Sequence, residues 1–450
     1  MTESAAPAAS APATLSARAV LRLPNYRRLW LGQLVSEAGD GLTNLALLLL
    51  VNSITGSTAA IAAMAICLAI PPLTIGLFAG AYVDRADRRR IMLASDLLRA
   101  IVVLGFVLVG SADRLWLLFL FAFVQSSIGT FFAPARGAVI PKVVPREGLL
   151  AANSVAQATR VIAGIVGAGL AGLIIGLAGV YWPAFVLDGL SFLASFVLIL
   201  GLPAGVGRIT PSPTATAAST STDATVAPAP APTPGIFASL TLGLSRVAHS
   251  RLLSTTIASL AVVMLGLGAV NVLFVPLMTR VLVVSPAWFG PLDMAQSASM
   301  ILAAGMIGAI AARIRPTTII TIGLVGVAVL IALTGAVTAI WQVLLLMFLV
   351  GWFVSPLQAS VVTLLQTSVV DAERGRIMSV LNAAMSGATV LSMAFAGIAG
   401  DVVGVRNVFF LAGAIVAVGA VISLIGFRGT ARRPAPDEGR LPALPAPATD

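Results

Sequence analysis

Cysteine and histidine are nearly missing from this sequence, with Cys67 and His249 the only ones in 450 residues. One thiol excludes a disulfide framework and a thiolate metal site. A single imidazole leaves nothing from which to build a histidine zinc centre, so no metal and no cofactor is expected. Charge is scarce, at 10% of residues, and aromatics reach 6%, whereas a soluble domain carries about 25% charged residues. The formal net charge of +10 raises the question of nucleic acid, but the arginines stand in short clusters between apolar runs with few aromatics among them. Membrane topology accounts for that pattern, and no nucleic-acid partner is expected. There is also no G-x-x-x-x-G-K-[ST] loop, so direct drive by ATP would need a partner protein.

Long apolar runs are what the chain has in abundance, since 58% of its residues are hydrophobic. A helix needs about 20 apolar residues to cross roughly 30 Å of hydrocarbon. Twelve windows meet that length: 29–51, 59–83, 91–110, 115–137, 153–176, 182–202, 252–278, 288–311, 317–337, 341–365, 377–400 and 408–427. They predict an all-α polytopic membrane protein with twelve transmembrane helices, and none reads as a cleavable signal peptide. With the N-terminus inside, the basic residues fall on the cytoplasmic side except Arg114, Arg280 and Arg406 outside and Arg99 and Arg160 within spans. That asymmetry sets a cell-membrane protein with both termini cytoplasmic.

The stretch ITPSPTATAASTSTDATVAPAPAPTPG between the sixth and seventh windows has almost nothing to bury and reads as a flexible linker. The expected organisation is a disordered tail over 1–21, a six-helix half over 22–203, the linker and a short interfacial helix over 204–250, a second six-helix half over 251–428 and a disordered tail over 429–450. His249 sits on the interfacial helix and is expected to face solvent or the interface. Gly41-Leu-Thr-Asn44 in the first window is matched by Gly268-Ala-Val-Asn271 in the seventh, and Gly80 to Arg85 by Gly308 to Arg313. Such spacing is the mark of two pseudo-symmetric halves.

The loop GAYVDRADRRRIM resembles the G-x-x-x-D-R-x-G-R-R signature of the major facilitator superfamily, with Gly80, Asp84, Arg85, Arg88 and Arg89 matching and Asp87 in the usual glycine's place. FFAPARGAVIPKVVPREGLLAANSV and LLQTSVVDAERGRIMSV resemble the macrolide-efflux and enterobactin-exporter branch. The resemblance implies the major facilitator fold and secondary transport. It also implies a conformational latch of Gly80, Asp84, Arg85, Arg88 and Arg89 that clamps the cytoplasmic face in the outward-open state. The fifth window, RVIAGIVGAGLAGLIIG, is similar to the family's glycine-rich antiporter motif, with Ala168 where proline is usual. Its small residues three and four apart also predict close helix packing by themselves. The arginine that many proton antiporters of the family carry in the fourth span is absent from LFAFVQSSIG.

Gln33, Glu37, Asp40 and Asn44 recur four, three and four apart, so on a helix they form one polar stripe facing a polar cavity. An acid at the centre of a span costs about 2.5–3.5 kcal/mol, so it faces a bundle interior or water. Glu37 and Asp40 are therefore the leading candidates for carrying a coupling proton, with Asp188 in FVLDGLSF the next. Further candidates for the cavity are Gln125, Arg160, Asn271 and Gln358. Arg160 could equally snorkel to the interface, and Pro276 and Pro356 could bend their helices. Asp96 and Arg99, three apart, are expected to pair with each other. These features favour a proton-coupled exporter of amphiphilic small molecules such as macrolide-like drugs or siderophores, monomeric and not an enzyme. A non-transporting membrane receptor or assembly factor stays open, as does an intramembrane aspartyl enzyme using Asp40 and Asp188. The latter would need a G-x-G-D motif where the chain reads Glu-Ala-Gly-Asp.

Overall fold

The computed structural model describes residues 15–208, 244–245, 247–311, 313–369 and 371–428. The linker and most of both terminal tails lie outside the described residues. Of the interfacial segment, Val247 to His249 are helical, and His249 is exposed with Nδ1 2.7 Å from the Ser245 carbonyl.

A short helix α1 (Ala17–Leu21) leads into α2 (Pro24–Thr55), which starts with proline at its first position and stops at Gly56, φ 62°. Proline lacks only an N–H that a first turn leaves unbonded, and glycine takes the left-handed turn without a side-chain clash. The Ser57 hydroxyl then caps α3 (Thr58–Thr74) by accepting from Ala60 N at 3.3 Å. Pro71 and Pro72 near the end of α3 break the ladder, and the pass resumes as α4 (Gly76–Val83). The half is completed by α5 (Arg88–Gly105), α6 (Leu115–Val143), α7 (Leu149–Ala178) and α8 (Trp182–Leu200). The second half comprises α9 (Arg251–Pro276), α10 (Phe289–Ala311), α11 (Pro316–Gly335), α12 (Ile340–Ser368), α13 (Asp371–Val402) and α14 (Val405–Phe427).

Ten of these helices are long and apolar enough to cross a membrane, and α3 continued by α4, with α10, complete twelve passes. Among the described residues there is no strand. Large apolar side chains such as Ile101, Leu108, Val197, Val418 and Ile425 are exposed along the bundle. Hydrocarbon can solvate that belt, and water cannot without penalty.

Within the first half α2 packs on α7 and α8, and within the second α9 packs on α13 and α14. The repeat seen in sequence has this meaning. A Cβ on Gly41 would stand 2.6 Å from the Gly164 carbonyl of α7, and one on Gly268 would stand 2.7 Å from the Thr389 carbonyl of α13. In each half the same glycine lets the first helix touch the fifth. The glycine stripe of α7 serves both sides, because Gly167 abuts Ala38 and Leu42 of α2 while Gly172 and Gly176 abut the turn Pro286–Trp288 of the other half.

The halves meet along α3 with α13 and α7 with α10, and the polar contacts between them gather at the end opposite Pro24. There Asp401 of α13 accepts from Ser57 Oγ at 2.6 Å, Thr58 N at 2.7 Å, Thr58 Oγ1 at 2.8 Å and Ala59 N at 3.1 Å. A carboxylate at a helix N-terminus completes its unbonded amides. Arg280 reaches from the second half to Asn52 and the Gly56 carbonyl, and Asn52 Nδ2 donates to Thr279 Oγ1 at 2.9 Å. That end is clasped.

A Gly167→Val change places a branched side chain against the Ala38 backbone, and overpacking of this kind costs about 1–3 kcal/mol. The detergent-solubilised variant should therefore lose thermal stability, whereas Gly164→Ala, with open space around it, should melt like the unaltered chain. Equal melting of both variants would contradict the packing described.

Candidate functional site

A cavity of about 830 Å³ lies within the first half, lined by α2, the α3–α4 pass, α5, α6 and α7. It runs from Asn44 and Ala65 at mid-bundle toward Gly76, Arg136 and Arg160, away from the clasped end.

Its charged wall is α2. Glu37 and Asp40, one turn apart, each meet a different cation. Asp40 is bridged by Arg99 of α5, and Glu37 Oε1 accepts from Arg136 Nη1 of α6 at 2.9 Å. Arg160 Nε of α7 stands 3.8 Å from the same Glu37 oxygen, and Gln33 Nε2 donates to it at 2.9 Å. The pairs are largely desolvated: Arg99 and Arg136 side chains are 10% and 12% exposed, while Asp40 keeps 33% toward the cavity. In so dry a setting a charge-assisted bond is strong while both partners are present, and either partner alone is costly.

The polar stripe is thus assembled much as its spacing requires. Glu37, Asp40 and Asn44 line the cavity with Arg160 and Gln125, whose buried amide has no hydrogen-bond partner, and Gln33 is buried against Glu37. Three expectations change. Arg99 pairs with Asp40 and not with Asp96, because on α5 its side chain points to α2 and the cavity. Arg136, counted by sequence among the basic residues of the cytoplasmic side, is a cavity residue, because the last turns of α6 direct it to Glu37. Asp188 is fully buried behind α2 and lies outside the cavity lining. Asn271 and Gln358 are exposed residues of α9 and α12 outside this cavity, with Asn271 Nδ2 donating to the Leu267 carbonyl at 3.3 Å. Pro276 closes α9, and Pro356 lies inside α12.

At the unclasped end, Asp84 and Arg85 are exposed and form no ion pair among the described residues, and no atom lies within 4 Å of a Cβ built on Gly80. Arg88 is half-buried, and Arg89 Nη2 donates to the Leu200 carbonyl at 2.7 Å. Asp87, the departure from the usual glycine, has a local duty: its side chain caps α5 by accepting from Arg90 N at 3.1 Å.

A second cavity, of about 740 Å³, is an apolar groove between α7 and α10, lined by residues such as Ile165, Leu170, Met294 and Ile301. The wall it shares with the polar cavity is α7, which turns Arg160 and Gly164 to one and Val161 and Ile165 to the other.

The family model described as Major Facilitator Superfamily matches residues 29–263 and 256–449. The multidrug efflux pump Tap of Mycobacterium tuberculosis is 27% identical over 414 residues, covering 86% of this chain and 90% of that protein. Macrolide efflux protein A of Streptococcus pyogenes is 29% identical over 151 residues, 33% of this chain and 37% of that protein. Among solved structures, a mutant of the nucleoside transporter NupG superposes with a TM-score of 0.71 at 13% identity, covering 90% of this chain and all of that one. A bacterial homologue of the iron transporter ferroportin in an inward-facing state gives 0.67 at 14% identity, covering 90% and 99%. At such identities the structural likeness is one of fold.

Removing one partner of a buried ion pair costs about 3–5 kcal/mol, so Arg136→Met should lower thermal stability sharply, and adding Glu37→Gln should restore most of the loss. Arg160→Met removes a long, half-exposed contact and should melt near the parent. The assignment fails if Arg136→Met is no more damaging than Arg160→Met.

Proposed function

The chain belongs to the Major Facilitator Superfamily, and we propose that it is a proton-coupled exporter of amphiphilic small molecules that works by alternating access. Membership of this family makes it a transporter and not an enzyme. The aspartyl-enzyme alternative also lacks its geometry, since Asp188 is sealed from the cavity that Asp40 faces. The proposed setting is the cell membrane, with both termini and the unclasped end on the cytoplasmic side, two six-helix halves over 22–203 and 251–428, and a monomer as the working unit.

The observation that carries the reading is a cavity with two carboxylate–arginine pairs on one helix, inside a bundle that, among the described residues, is clasped at one end only. A proton on Asp40 or Glu37 cancels the charge that holds Arg99 or Arg136 and frees that arginine to move. A substrate with polar groups competes with the proton for the same side chains, so that each expels the other. Competition of this kind, with an opening that switches ends, is antiport. Both sides of α7 support an amphiphilic cargo, as they offer polar and apolar surface to the two ends of one molecule. Efflux as the direction is supported by the names of the relatives, a multidrug and a macrolide efflux protein. In the opposite state Asp84, Arg85, Arg88 and Arg89 with Gly80 would take over as the latch while Asp401 and Arg280 let go.

Efflux of a dye and a compound panel, with siderophores and lysolipids included, is to be followed in vesicles under an imposed proton gradient. Asp40→Asn should reduce gradient-driven efflux at least about tenfold, a coupling loss of about 1.4 kcal/mol or more, while Gln358→Ala exports normally. Undiminished export by Asp40→Asn across the pH range would remove Asp40 from coupling. No flux of any compound in the unaltered protein would remove the exporter reading.

A further inference from the structure

Behind the cavity wall runs a second polar region that the transport reading does not use. On α8, Asp188, Ser191 and Ser195 fall three and four apart and are 0%, 6% and 0% exposed. They pack on α2 where it has glycine: a Cβ on Gly39 would strike Asp188 and Ser191, and one on Gly32 would stand 3.2 Å from Ser195 Oγ. From α5 come Asp96, 0% exposed, and Arg99, 8% exposed. A fully buried seam between α2, α5 and α8 therefore holds two aspartates, two serines and one face of the Arg99 guanidinium.

The hydrogen bonds of this seam do not close. Both carboxyl oxygens of Asp96, Oδ2 of Asp188 and the hydroxyl of Ser195 have no hydrogen-bond partner, and Asp188 Oδ1 accepts only from Ser191 Oγ at 3.1 Å. The hydroxyls of Ser195 and Thr43 face Asp96 and Asp188 without completing a bond of ordinary geometry. An ionised carboxylate left so is among the most expensive things a bundle interior can hold, whereas a neutral carboxylic acid is a hydrogen-bond donor of modest cost. The charges facing the seam are few. Asp40 comes from α2, Asp96 and Arg99 from α5, and Asp188 from α8. Arg136 of α6 and Arg160 of α7 are both turned to Glu37 on the cavity side. One guanidinium thus serves Asp40, Asp96 and Asp188, and it is bound to Asp40.

We propose that Asp96 and Asp188 are an internal proton store sealed behind the Asp40–Arg99 pair, and that Asp188 and Asp40 exchange one proton while Arg99 crosses between them. The proposal rests on proton coupling as the reading of this site and deepens it. In the step, the O–H bond of Asp188 breaks and one forms on Asp40, the guanidinium leaves Asp40 for the new Asp188 carboxylate, and the charge of the cluster does not change. The delivered proton then stands on the acid that opens to the cavity. The local structure provides for the crossing. Arg99 lies over the Phe192 ring at 4.0 Å, an aromatic surface one turn beyond Asp188 that favours a cation in either position. Gly129 of α6 leaves room beside it, since a Cβ there would stand 3.5 Å from the guanidinium carbon.

Infrared difference spectroscopy of the purified full chain in lipid reads the store directly and needs no transport substrate. At neutral pH the protein should show a protonated-carboxyl C=O band that shifts in D2O. Asp96→Asn and Asp188→Asn should each remove part of it, with little change in melting temperature, because Asn copies the neutral acid. Asp40→Asn should also weaken the band, since the released Arg99 takes a seam carboxylate and displaces its proton. A missing band in the unaltered protein, or a band that survives both seam variants, overturns the proposal. So does a melting temperature raised by sodium and not by potassium, which would make the seam a metal-cation site. Flux without the band sinks the store alone, and the band without flux sinks the coupled exporter alone.

Discussion

Two carboxylates on one turn of α2 line a partly buried cavity inside the bundle, where each needs a cation, and three helices of the first half supply them. Asp40 takes Arg99 from α5, and Glu37 takes Arg136 from α6 with Arg160 of α7 nearby. The glycines are part of this arrangement. Gly41 and Gly167 bring α2 onto α7, and Gly32 and Gly39 bring it onto α8, so the helix that carries the acids is held closely by both neighbours. In a low-dielectric interior such pairs are strong when complete and costly when broken, and the proposed coupling proton would act by breaking one.

The other constraint is where the halves adhere, since among the described residues their polar contacts gather at one end. Asp401 bonds to the start of α3, and Arg280 bonds to the end of α2. Both contacts are charge-assisted, worth about 1.5–3 kcal/mol for each bond, and both use groups at helix termini that water can satisfy when they part. The open end keeps Asp84 and Arg85 exposed and outside any ion pair among the described residues. With the proposed latch at the open end unpaired and the contacts at the other end made, the bundle would be in one of two states. The apolar groove between α7 and α10 runs along the seam on which the halves would rock.

Much of the fold was legible because spans, glycine spacing and the duplicated Gly–x–x–Asn are one-dimensional patterns. The polar stripe of α2 was legible for the same reason, since a helix turns a spacing into a face. The partners of that stripe were not. Arg99 had Asp96 three residues away, and a local pairing rule preferred it, yet the α5 surface turns Arg99 to α2. Arg136 stood at the very end of an apolar window and was counted with the basic residues of the cytoplasmic side, and only the fold shows that α6 turns it to Glu37. Asp87 read as a defect in a motif and is a helix cap. Asp188 read as a candidate because an acid inside a span must face a bundle interior or water, but that rule does not tell which of the two or which neighbour covers it. Gly32 and Gly39 of α2 do so.

Alternation of the two ends about the α2 cavity is the claim on which the account stands, and interspin distances test it most directly. In a Cys67→Ser background, one pair of labels at Ala86 and Arg313 reports the open end, and a second at Gly110 and Val403 reports the clasped end. Asp401→Ala removes the carboxylate that holds the start of α3, so the clasped-end distance should lengthen and the open-end distance shorten in the same population. Lengthening at the clasped end with no change at the other would contradict alternating access.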